Sequence, residues 1–189
     1  MSNLTLLTAG IDLKPDSLNL SNSLDKTLTL INYDNVDVEQ TLDSSNSTNP
    51  LLDYNNLKVI DNSEQYHFEG LKYSIKPSVA SVIRKDGKAW YDHMVDFVIY
   101  SDTPEAKNVI KELSGGRFVA IIKDDHYTPI TGLRKRFVFG LENGLTISKL
   151  GRKHTDPENG NFYQVSLKTS KMSAKESGVE VSFGLIQQV

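Results

Sequence analysis

The chain has 189 residues, a formal charge of −3 and no cysteine. Its length fits about one domain with an appendage. The missing thiols exclude disulfide scaffolds, thiolate zinc sites, iron–sulfur clusters and cysteine nucleophiles. The slightly acidic balance gives no support to a general binder of nucleic acid or anionic membrane. No apolar run approaches the roughly 18 residues needed to cross a bilayer. The first residues lack the basic region and apolar core of a signal peptide, so a product made and kept inside the cell is the default expectation.

Character changes near residue 60. Residues 1–60 hold three basic side chains (Lys14, Lys26, Lys58) against eight acidic ones, whereas the remainder holds 18 basic and 16 acidic. Asn, Ser, Thr, Asp and Leu dominate the first part, and residues 43–50 (DSSNSTNP) read as a loop or linker. A stretch with so little to bury is expected to be an extended arm, 1–56, ordered by a partner surface. Within it, Leu28 and Leu30 alternate with Thr27 and Thr29, which reads as one strand.

From residue 57 the period is mostly two, and a β domain over 57–189 is expected. Leu71, Tyr73 and Ile75 alternate with polar residues, and 79–84 is a second strand. Asp86-Gly87 then signals a hairpin into a third strand at 89–100, apolar on both faces near its end. One helix follows at about 103–114. Ser101 or Asp102 can cap it, Pro104 suits its first turn, and Ala106, Val109, Ile110 and Leu113 form a single apolar stripe. Gly115-Gly116 should end it through a left-handed cap.

Residues 117–123 (RFVAIIK) form another strand apolar on both faces, and Asp124-Asp125-His126 reads as the turn after it. Strands are then expected at 128–133, 137–139, 145–150, 162–168 and 179–183, with a turn at Asn143-Gly144 and a polar loop at 151–161. The expected fold is a β-rich α+β domain: a small β-sandwich or barrel of about eight strands, one flanking helix and a long N-terminal arm.

Chemistry-bearing motifs are sparse. The carboxylates and imidazole of Asp124-Asp125-His126 could ligate a metal, but adjacent side chains in a tight turn diverge, and no second cluster has ligand spacing. His93 reads as a ring hydrogen-bonded among its strand neighbours. A hydrolase built on His126 or His93 lacks a partner at readable spacing. Ser114-Gly115-Gly116-Arg117 follows a helix, whereas anion cradles open one. No catalytic, cofactor or metal site is assigned. Two basic clusters, Arg134-Lys135-Arg136 and Arg152-Lys153, would form a patch for a phosphate backbone if the sheet united them. The alternatives are solvated loops, or a rim facing an acidic neighbour.

Residues 95–183 run as strand, helix, "ELSGGRFVAIIKDDHYTPITG", a "GLTIS" strand, a polar loop and "NGNFYQVSLKTS". This order resembles virion structural proteins of tailed bacteriophages infecting Bacteroidetes, including crAss-like phages. The leading "AGIDLKPDSLNLSNSLDKTLTLINYDNV" is similar to the start of such proteins. The resemblance implies a non-enzymatic virion subunit in a neck ring, portal-adjacent ring or tail tube. Its partners would be identical subunits and other neck or tail proteins around a DNA channel, with no cofactor and no membrane. Arm contacts are then expected from Leu4, Leu6, Leu7, Ile11, Leu13, Leu18 and Leu20, and the basic clusters would face DNA or an acidic neighbour. The alternative reading is a nucleic-acid-binding β module using Arg134, Lys135, Arg136, Arg152 and Lys153.

Overall fold

Alternating Leu and Thr between residues 26 and 32 builds the centre of the sheet and not an outlying arm. The computed structural model describes residues 26–43, 53–61, 63–70, 74–83, 89–127, 134–156, 160–169 and 181–188. In chain order these form β1 (Lys26–Asn32), α1 (Val38–Asp43), β2 (Asp53–Val59), β3 (Gln65–Gly70), β4 (Lys76–Ile83) and β5 (Ala89–Ile99). They are followed by α2 (Pro104–Gly115), β6 (Phe118–Tyr127), β7 (Arg134–Phe139), β8 (Leu145–Asp156), β9 (Gly160–Thr169) and β10 (Val181–Gln188). The described residues are thus β-rich, with two α-helices among them, of which α2 is the longer.

Hydrogen-bonded neighbours run β2-β10-β7-β6-β8-β9-β5-β4, and β1 joins β6 to β3. All of these pairs are antiparallel except β2 with β10. β6 is the hub because its apolar residues point both ways. Phe118, Ala120 and Ile122 enter the larger core, while Val119 and Ile121 enter a smaller one on the opposite face. β1 repeats the division, with Leu28 and Leu30 on one side and Ile31 on the other, all wholly buried. Strands covered on both faces lose their polar alternation, which is what 117–123 displayed in sequence.

The stripe of α2 (Ala106, Val109, Ile110, Leu113) lies in the larger core as expected. Its cap is Thr103, whose hydroxyl accepts from the Ala106 amide at 3.3 Å, and not Ser101 or Asp102. Gly116 has ordinary extended backbone, φ −92° and ψ 167°, so the expected left-handed cap is absent. The glycine serves a different purpose: a Cβ there would overlap the buried Phe118 ring. The turn at Asn143-Gly144 does need positive φ, with Gly140 at 74° and Gly144 at 70°. The Gly144 amide donates to the Gly140 carbonyl at 2.9 Å.

The second core is closed by residues read as part of the arm. Asp37 accepts from the Gln40 amide at 2.9 Å and starts α1, while the Thr41 hydroxyl accepts from the Lys58 amide at 3.0 Å. Asn35 and Asp61 exchange side-chain and backbone hydrogen bonds at 2.8 Å. The Arg117 guanidinium sits 3.8 Å from the Tyr33 ring centroid and pairs with Asp34 at 3.1 Å, pinning this layer to the start of β6. Residues 26–43 and 53–56, placed in the arm by composition, therefore belong to the sheet and its second layer. Leu57, Val59, Val36 and Ile31 are buried in this smaller core with Val119, Ile121, Val138 and Leu141.

Contacts across the larger core join strands far apart in the sheet order. Phe68 on β3 meets Phe97 on β5 with centroids 5.9 Å apart, and His93 on β5 meets Phe139 on β7 edge-on at 5.7 Å. Two expected connections are strand instead. β6 runs through Asp124-Asp125-His126 to Tyr127, which pairs with Arg134, and β8 runs to Asp156 in place of the polar loop. β3 at 65–70, which pairs with β1, was not expected; of the strand expected at 71–75, only Ser74 and Ile75 are described, and neither is in a strand. Residues 71–73 and the strand expected at 128–133 lie outside the described residues.

Candidate functional site

Register decides whether the two basic clusters share a face. Phe118 of β6 lies opposite Leu145 of β8, and the strands are antiparallel. From that point β6 runs forward to Lys123 and Tyr127, beside Arg136 and Arg134, while β8 runs the other way to Arg152 and Lys153. About twelve residue steps of roughly 3.3 Å separate the clusters along the strands, on the order of 40 Å of sheet path. Along the strands, the backbone register places the two clusters on opposite sides of the Phe118–Leu145 pair. Arg136 is half-buried; the side chains of Arg134 and Lys135 are outside the described set, as are Leu4, Leu6, Leu7, Ile11, Leu13, Leu18 and Leu20.

Arg152 is engaged locally. Its guanidinium reaches the Asp102 carboxylate at 2.7 Å and lies 5.2 Å from the Tyr163 ring centroid. Asp102 also takes Lys107 at 3.3 Å and the Tyr163 hydroxyl at 3.1 Å. The group locks the start of α2 to β8 and β9. Lys153 lies over the Phe162 ring at 5.5 Å. Partial desolvation works to raise the Asp102 carboxyl, but hydrogen bonds from Lys107 and Tyr163 and the charge of Arg152 outweigh it and hold the group below the usual carboxylate range.

A depressed carboxyl stabilises the fold above its unfolded value and loses that contribution as pH falls through the folded one. The stability difference between wild type and Asp102→Asn is therefore expected to be constant near neutral pH. It should shrink as pH drops below about 4, the unperturbed Asp range. Urea titrations of both chains across that range check it.

Both histidines with described side chains, and two further acids, are also bound into the scaffold. The His93 ring, almost fully buried, accepts the Gly140 amide on Nδ1 at 3.1 Å, and its backbone amide donates to the Thr169 hydroxyl at 3.0 Å. His67 bonds the Thr29 hydroxyl at 2.8 Å. Asp92 pairs with Lys168 at 3.3 Å, and Asp96 accepts from the Ser166 hydroxyl. Among the described residues, no three His, Asp or Glu side chains gather as a metal site, and no helix is long and apolar enough to cross a membrane. The side chains of Asp124, Asp125 and His126 lie outside the described set.

One surface feature escaped the sequence reading. Among the described residues β4 pairs with β5 alone, and it closes the strand order at that side. Among the described residues β9 pairs with β5 only from Met94 to Ile99, and the described partners of residues 89–93 within the sheet are residues 79–83 of β4. Ile83, at its end, is 77% exposed. In sequence there is only an uncharged run, 77–83, and nothing in the spacing tells an edge strand from an interior one. Compared with known proteins, the chain matches no family model, no curated sequence and no solved structure.

Proposed function

We propose that the protein is a non-enzymatic assembly subunit: a virion component of a tailed phage that forms an oligomeric ring in the neck or tail. The fold serves as a rigid β platform, a sandwich or barrel curled round the larger core, as the Phe68–Phe97 and His93–Phe139 contacts suggest. Residues 1–25 reach neighbouring copies, and the ring meets other neck or tail proteins while DNA passes its lumen without sequence readout. Head-to-tail contacts between identical subunits close into rings when their rotation permits.

The observation that carries this reading is the fate of the chemistry-bearing groups. His67, His93, Asp34, Asp92, Asp96 and Asp102 each hold a structural bond within the sheet or between its layers. A catalytic centre needs such groups converging on a space a substrate can enter; these six instead tie described elements of the scaffold to one another. The distance along the strands between the two basic clusters favours this reading over a nucleic-acid module, which would need them on one face.

Removing residues 1–24 tests the proposal. The shortened chain retains every described residue of both cores, so its circular dichroism and unfolding midpoint are expected to stay near those of the full chain. Its oligomers are expected to be lost in sizing chromatography. Normal assembly by the shortened chain would contradict the proposal.

A further inference from the structure

We propose that the outer edge of β4 takes up residues 1–25 of a second copy of the chain as an added strand. The inference rests on the assembly reading and names the acceptor for the arm. An edge strand presents a row of backbone donors and acceptors, which natural sheets guard with charges, prolines or bulges. β4 is weakly guarded. Pro77 is its one proline, near its start, and residues 77–83 (PSVASVI) carry no charge.

The side-chain row on this edge also runs past its cover. Val79, Ser81 and Ile83 share one face with their partners His93, Tyr91 and Ala89. Val79 packs against the larger core and His93 lies inside, but Ile83, two pairs further along, is 77% exposed. A strand added beside β4 with leucine at alternate positions would extend the apolar row over Ile83 while taking up the edge hydrogen bonds.

The leading segment has that pattern. Leu4 and Leu6 flank Thr5, and Leu18 and Leu20 flank Asn19. It holds three acids (Asp12, Asp16, Asp25) against Lys14, whereas β4 is bracketed in sequence by Lys76 and by Arg84, Lys85 and Lys88. Opposite charge at the strand ends favours this occupant and sets its register. Twenty-five residues span about 80 Å when extended, several times the radius of gyration of about 16 Å expected for a domain of this length. The segment can therefore reach a neighbour's edge.

A chain without cysteine allows a direct test. Full-length chains carrying Thr5→Cys or Asn19→Cys are mixed with differently tagged full-length chains carrying Ser81→Cys and treated with a short bismaleimide. The expected result is cross-linking between arm and β4 of different copies. It should exceed by about tenfold the yield with Lys111→Cys on the exposed face of α2, because docking raises the effective concentration of one thiol at the other. Oligomers without the arm-to-β4 product would overturn β4 as the acceptor and leave the assembly reading standing. Cross-linking confined within single Thr5→Cys/Ser81→Cys chains would overturn exchange between copies. Monomers with no cross-link would overturn both.

Discussion

Leu30→Ala is expected to lower the unfolding free energy by about 2–5 kcal/mol, the range for truncating a buried leucine. Leu30 is 0% exposed and lies in the larger core with Phe68, Phe118 and the α2 stripe. It belongs to β1, the strand that joins β3 to β6, so a cavity there loosens the junction of three strands. Domains of this kind hold roughly 5–15 kcal/mol in total, so one methyl-rich side chain accounts for a large fraction. Leu150→Ala, at a surface position, is the control and is expected to change stability by about 0.5 kcal/mol or less. Urea denaturation reads both, the first as a lowered midpoint with an unchanged slope. A Leu30→Ala chain as stable as wild type would mean that 26–32 is not part of the core.

Gly116→Ala carries the second large effect and a different physical cause. The backbone at Gly116 is extended, so alanine suffers no conformational penalty there. The cost comes from space: the added methyl overlaps the Phe118 ring, which is itself wholly buried between α2 and the sheet. Overpacking of this sort costs about 1–3 kcal/mol, because the ring must leave its rotamer or the helix end must lift. Gly151 in β8 provides the contrast, since a Cβ there meets nothing within 4 Å. Gly151→Ala is expected to be neutral or slightly stabilising, as a strand interior disfavours glycine. Thermal unfolding of the two variants separates close packing from glycine content as such.

Legibility in the sequence followed burial. The α2 stripe and the apolar run of β6 were visible because a core demands them, and both fell where their periods placed them. β1 was visible as a strand, but its position was not: alternation shows a strand has a buried face and says nothing about which strands flank it. α1 and β2 were missed because VEQTLD is a single turn and a half, and DYNNLKV offers only Leu57 and Val59 as apolar residues before its end. The polar ends of β6 and β8 were read as turns for a related reason. Ribbons that extend beyond the core pair through backbone, and their side chains are not obliged to alternate.

The surface groups were less legible than the fold. Arg152 was singled out for its charge, yet its partner Asp102 lies fifty residues earlier and no spacing connects them. Whether the two basic clusters meet depends on strand order, which spacing does not give; the β6–β8 pairing at Phe118 and Leu145 sends them in opposite directions along the strands. The β4 edge was invisible for the complementary reason. An interior strand and an edge strand can carry the same residues, and here it is the pairing among the described residues that sets β4 at the end of the strand order.

Native mass spectrometry of the purified full-length chain at micromolar concentration tests the central claim most directly. A building block that closes on itself is expected to give one dominant species at a fixed whole-number multiple of 21.1 kDa. That species should disappear when residues 1–24 are removed. A single 21.1 kDa species at every concentration, unchanged by the truncation, would contradict the account.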